Sequence, residues 1–113
     1  MKSSNAIEAL GALAQEHRLQ LFRLLVQAGQ KGLAAGAIAE ALGVPNSSLS
    51  FHLAQLRNAG LILQERQHRS LIYRANYPAM NSLVAYLMEN CCAGADCGSD
   101  PACETAAQER KSA

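Results

Sequence analysis

"ALGVPNSSLSFHLAQLRNAG", residues 41–60, decides how this chain folds. Gly43 stops one apolar helical pattern. Pro45, which cannot sit inside a helix but can begin one, opens the next. Along this second helix Leu49, Leu53, Leu56 and Gly60 share one face and are expected to pack inward. Ser47, Ser48, Phe51, Gln55 and Asn58 fall on the opposite side, with Ser50 beside them. Two helices joined by so short a turn have the form of a helix-turn-helix. Short hydroxyls and amides at a helix start suit a major groove, because they reach base edges and phosphates without holding the backbone off the duplex.

Outward from that stretch, helical spacing continues upstream. "AIEALGALAQ" predicts a first helix, with Asn5 and Glu8 in capping-box spacing and Ile7, Leu10, Leu13 and Ala14 on one face. "HRLQLFRLLVQAG" predicts a second, carrying Leu19, Phe22, Leu25 and Val26 and ending at Gly29; "GLAAGAIAEALG" predicts a short third. Downstream the period changes. "LILQER" and "SLIYRA" are separated only by "QHR", which predicts a two-stranded hairpin whose turn lacks the usual Gly or Asn. Arg66, His68 and Arg69 cluster at its tip, where a wing would meet the phosphate backbone. Pro78 then opens a last helix, "PAMNSLVAYLMENCC", with Met80, Leu83, Val84, Leu87 and Met88 in one apolar stripe. The expected fold is mainly α with a small β-hairpin, a winged helix-turn-helix over residues 1–90. A flexible, cysteine-bearing tail over 91–113 follows.

Composition narrows the function. A chain of 113 residues is one domain, small enough that pairing with a copy of itself would help complete its core. No run approaches the roughly 18 apolar residues of a membrane helix, and the N-terminus is interrupted by charges before a signal-peptide core could form, so a cytoplasmic location is expected. Net charge is only +1, but it is unevenly placed. Between Asn46 and Pro78 lie Arg57, Arg66, Arg69 and Arg74 against the single acid Glu65, whereas from Glu89 to Glu109 there are acids and no Lys or Arg. The plainer alternative is that these arginines only solvate a face. Phe51 is the odd member of the polar helix face. Either a thymine methyl covers it or it leans back on the core.

Three segments together, "ALAQEHRLQLFRLL", "IAEALGVPNSSLSFHLAQLRNAGLI" and "LQERQHRSLIYRA", resemble the ArsR/SmtB family of winged-helix repressors over about residues 6 to 90. The most specific element is Ser50-Phe51-His52-Leu53 leading into "LRNAGL". The resemblance implies a homodimer paired through its first and last helices, with Leu10, Leu13, Met80, Leu83, Val84 and Leu87 at the interface. It implies binding to a palindromic double-stranded operator and release when a metal or metalloid binds. Asn46, Ser47, Ser48, Ser50, Phe51, His52, Gln55 and Arg57 on the helix, and Arg66, His68 and Arg69 on the hairpin, are then the candidate DNA contacts.

Two sensor sites of that family are absent from this sequence. The segment before the recognition helix has no cysteine, and the last helix has no histidine. What remains is "CCAGADCGSDPAC", which holds every cysteine in the chain. Its C-C-x4-C-x5-C spacing departs from the C-x2-C pattern of structural zinc. Thiophilic As(III) or Sb(III), taking three thiolates in a pyramid, fits better. Cys91 and Cys92 supply two sulfurs and Cys97 the third, with Cys103 as the alternative; the arsenic-responsive members that this sequence resembles have a related arrangement. Capture would release protons and weaken at low pH, and the nearby Glu89, Asp96 and Asp100 argue against a fast redox thiol. Rival signals on the same fold are Cd(II), Pb(II), Zn(II), an organoarsenical or thiol oxidation. A thiol-based metalloid carrier or enzyme is more remote, since no histidine stands near the cysteines in sequence, and the chain has no phosphate loop and no paired carboxylates.

Overall fold

In the computed structural model, residues 1–94 are described. The chain runs α1 (Ser3–Leu13), α2 (Glu16–Ala28), β1 (Leu33–Ala34), α3 (Ala35–Leu42), α4 (Asn46–Asn58), β2 (Ile62–Gln67), β3 (Ser70–Ala75) and α5 (Tyr77–Leu87), then a short 3-10 turn over Cys91–Gly94. This is the winged helix-turn-helix that the sequence predicts, with local differences: α5 stops at Leu87, short of the cysteines, and two others lie upstream. α1 begins at Ser3, with Lys2 in the cap position, so Asn5 lies inside the helix and does not cap it. A third strand, β1, precedes α3 and pairs antiparallel with β3 (Leu33 opposite Tyr73, Ala34 opposite Ile72), giving the sheet order β1-β3-β2. Two residues of Leu-Ala carry no alternating pattern, which is why no strand is predicted there.

The core lies where α2, α3 and α4 meet the root of the hairpin. Leu21, Leu25, Ile38, Leu49, Leu56, Leu61 and Ile62 are its most deeply buried members, and no polar or charged residue is buried among the described residues. The α4 face predicted to point inward does so through Leu49, Leu53 and Leu56. In α2 the inward residues are Leu21, Phe22 and Leu25, and Leu19 is turned out to solvent.

Two glycines shape the connections. Gly43 takes the left-handed conformation (φ 67°) at the end of α3, and its N–H donates to the Ala39 carbonyl at 2.8 Å, which makes the tight turn into α4. Gly32 (φ 66°) lies against β3. A Cβ there would run into the Tyr73 carbonyl oxygen and the Arg74 side chain.

α5 is fastened at its start. Asn76 accepts the Ala79 N–H at 3.3 Å as an N-cap, and its own amide donates to the Gly60 carbonyl at 2.9 Å. The Tyr77 hydroxyl donates to the Val26 carbonyl of α2 at 2.8 Å. Asn76 therefore caps α5 and holds the far end of α4.

Candidate nucleic-acid interface

α4 presents a polar edge built from its first turns. Asn46, Ser47, Ser48 and Ser50 are exposed, and the Ser50 hydroxyl donates to the Asn46 carbonyl at 3.0 Å. That bond leaves the Ser50 oxygen as an acceptor facing outward. Phe51 stands among them at 58% exposure, so it does not lean back on the core. Gln55 is half-buried. Arg57 is exposed and donates to the Gln64 side chain of β2, bracing the recognition helix against the wing.

His52 is half-buried behind Phe51. Its ring lies 5.6 Å from that of His17 at the start of α2, and its Nδ1 is buried without a hydrogen-bond partner. Desolvation first, then the Arg18 guanidinium and the His17 ring, hold its pKa below the ordinary 6.5. His52 thus packs between α2 and α4 through its contact with His17. Arg18 is in turn committed to α1, its Nε donating to the Ala12 carbonyl at 2.6 Å.

The hairpin supplies the charge. β2 and β3 pair from Ile62 opposite Ala75 to Gln67 opposite Ser70, leaving His68 and Arg69 as a two-residue turn. His68 takes φ 58°, the left-handed geometry for which such turns normally use Gly or Asn. Arg66, His68 and Arg69 are all exposed at this end. Glu65, the one acid of the region, is paired with Arg74 across the strands at 3.3 Å and so does not offset the tip. Arg74 is the residue that the charge pattern shows without its purpose.

A second surface is apolar. α1 buries Ala6, Ala9 and Ala12 on its inner side, and these small residues let it sit close to the core. Its larger Ile7 (67% exposed) and Leu10 are left outside. The predicted α5 stripe is divided. Leu83 (6% exposed) belongs to the subunit's own core and Met80 packs against it, whereas Val84, Leu87 and Met88 face solvent. Leu13 likewise packs on its own core. The outward set is thus Ile7, Leu10, Val84, Leu87 and Met88, so Leu83 is corrected from interface to core, and Leu13 and Met80 are half-committed. Ile7 and Met88 join the set because a stripe wide enough for two neighbours does not say which residue faces which.

Cys91 and Cys92 lie beyond α5, half-buried in the 3-10 turn. Asn90, Cys92 and Ala93 all take positive φ there, so the thiols sit on a sharply turned backbone and not on a frayed last turn of the helix. Cys97 and Cys103 lie outside the described residues. Among the described residues no group of three His, Cys, Asp or Glu side chains gathers to hold a metal.

A helix-turn-helix domain model matches residues 13–65, which span α2 through most of β2. The HTH-type transcriptional regulator YgaV of Escherichia coli is 32% identical over 79 residues, 70% of this chain and 80% of its own length. The solution structure of the homodimeric winged helix-turn-helix domain Mb0332 of Mycobacterium bovis, described as a possible ArsR-family transcriptional regulator, is 30% identical with TM-score 0.61, covering 77% of this chain and 81% of that one. The chain belongs to the ArsR family of winged helix-turn-helix regulators. A crystal structure described as a possible transcriptional regulator for arsenical resistance is also similar, at 26% identity and TM-score 0.62 over 71% of this chain and 80% of that one. As a member of the ArsR family the chain is a transcriptional regulator with a DNA-binding winged helix, and the relatives it matches are regulators and not enzymes. No helix among the described residues is long and apolar enough to cross a membrane.

Proposed function

We propose that this ArsR-family chain is a cytoplasmic homodimeric repressor that holds a palindromic operator and lets go when As(III) or Sb(III) binds the cysteines that follow α5. The observation that carries the DNA half is the joining of an exposed, hydroxyl-rich α4 to a wing tip bearing Arg66, His68 and Arg69, with the local acid already neutralised. The outward apolar set on α1 and α5 supports pairing of two copies, since such a patch on a small soluble domain is covered by a partner.

The thiol half rests on chemistry. Adjacent thiolates suit a soft, three-coordinate metalloid, and the third sulfur would come from Cys97, from Cys103 or from the second subunit. Cys91 and Cys92 follow immediately on the proposed pairing helix. Drawing a third thiolate toward them would reshape that end of the interface and change the spacing of the two recognition helices, which half-site geometry does not tolerate. A coupling of roughly 1–3 kcal/mol, about five- to 150-fold in affinity, is enough for a switch.

The test is equilibrium binding of the reduced full-length chain to a duplex selected from random sequence, over a salt series and with As(III), Sb(III), Cd(II) and Zn(II) in turn. Salt-dependent binding by a dimer, weakened by As(III) and Sb(III) at lower concentrations than by the divalent ions, is expected. Release by Zn(II) or Cd(II) first would replace the metalloid with a cation, and release by mild oxidants alone would make the thiols a redox sensor.

A further inference from the structure

We propose that Phe51 is a base-reading residue: its exposed ring takes the C5-methyl group of one thymine in each operator half-site. The inference rests on the DNA-binding reading above and adds the chemistry of one contact to it.

Phe51 is set apart from the other outward apolar side chains. Ile7 and Leu10 on α1, Val84 and Leu87 on α5 and Met88 just past it are covered by a second copy of the chain in the proposed dimer, and the outward Leu19 of α2 and Leu63 of β2 are less exposed than Phe51 and stand off the polar edge of α4. Phe51 belongs to α4, and its exposed neighbours Asn46, Ser47, Ser48 and Ser50 are small polar groups of the kind that line a groove. It lies in the first half of the helix, the part that approaches base edges when a recognition helix enters the major groove. The exposed charges of α4 and the wing tip are Arg57, Arg66 and Arg69, which suit a polyanion and would repel a cationic partner surface. A polyanion whose groove carries an apolar feature is duplex DNA. The thymine methyl is the one apolar group on a base-pair edge, and Phe is among the side chains that pack on it.

The ring is also backed. It meets the His52 ring edge-on with centroids 5.8 Å apart, and His52 in turn rests on His17. Three rings in succession link the reading position to the start of α2, so Phe51 is supported from behind while its outer face is uncovered. A side chain held in this way loses little rotamer freedom on contact, which makes one methyl group legible.

The experiment uses the reduced full-length chain and a duplex selected from random sequence, in which each thymine is replaced singly by deoxyuridine. That change removes the methyl and nothing else. We expect one thymine in each half-site whose replacement weakens binding about fourfold, the factor that goes with one buried methyl group, and roughly fifteenfold when both half-sites are changed. Phe51→Ala should bind more weakly with the same salt dependence and should no longer distinguish thymine from uracil at that position. Phe51→Leu should keep part of the distinction. The uridine series on the native chain needs no variant, so the inference is testable even if Phe51→Ala fails to fold. Salt-dependent duplex binding with no methyl-sensitive thymine, or a Phe51→Ala chain that discriminates as the native one does, overturns the assignment of Phe51 and leaves the DNA-binding reading standing. Absence of duplex binding overturns both.

Discussion

His52 is the residue whose chemistry changes most between chain and fold. It sits in "S-F-H-L", among residues that read as a DNA-facing run, yet its ring is half-buried against His17 with Nδ1 unpartnered and its pKa held below 6.5. The unfolded chain takes up this proton near 6.5, and the folded chain only at lower pH. Between those two values the unfolded state holds more protons, so stability falls as pH drops below 6.5 and stops falling below the folded pKa. We predict a melting temperature that declines from pH 7.5 to pH 5.5, with a shallower decline in His52→Gln; equal slopes would remove His52 as the cause. The groups facing it from α2 are His17 and Arg18, and both oppose its charge. Gly32 gives a second prediction. Alanine there combines a positive φ with a collision against β3, so Gly32→Ala should cost about 2 kcal/mol, read as a lower urea midpoint at unchanged m. Neither feature is legible in the sequence, since both depend on which strand or ring lies opposite.

At the scale of elements, the helices declare themselves through spacing and their glycine stops, and the hairpin through a change of period. What spacing leaves open is the rotation of each helix about its axis. In α1 three alanines face inward and Ile7 and Leu10 outward, the reverse of what residue size alone suggests, because close approach of two helices favours the small side chains. β1 is unreadable because a two-residue strand exists only through its pairing with β3. Asn76 joins two elements: it caps α5 and holds the Gly60 carbonyl at the end of the recognition helix. Asn76→Ala should lower stability by about 1–2 kcal/mol in urea unfolding. A loss within a few tenths would mean that the cap carries no weight. In the proposed DNA contact the wing acts through charge. Arg66→Ala and Arg69→Ala should each reduce the slope of log affinity against log salt by about 2 in a homodimer, one phosphate in each half-site. An unchanged slope would place that arginine off the DNA.

For the whole molecule, two kinds of surface are exposed: the polar edge of α4 with the basic wing tip, and the outward apolar set of α1 and α5. The sequence shows both surfaces as patterns. It could not show that Leu83 is part of the subunit's own core, because one stripe serves two neighbours, and in the proposed sensor site it leaves the third sulfur open between Cys97 and Cys103. If the apolar set pairs two copies, Leu87→Glu should give a monomer in sedimentation. It should also lose operator affinity by on the order of a hundredfold or more, since the second half-site no longer acts in concert with the first. A dimeric Leu87→Glu chain would move the interface elsewhere. The most direct test of the account as a whole is release: a fluorescent operator duplex bound by the reduced full-length chain is titrated with As(III), beside a Cys91→Ser, Cys92→Ser chain. The account predicts that As(III) frees the DNA from the native chain and leaves the variant complex intact. Release from both, or from neither, would contradict it.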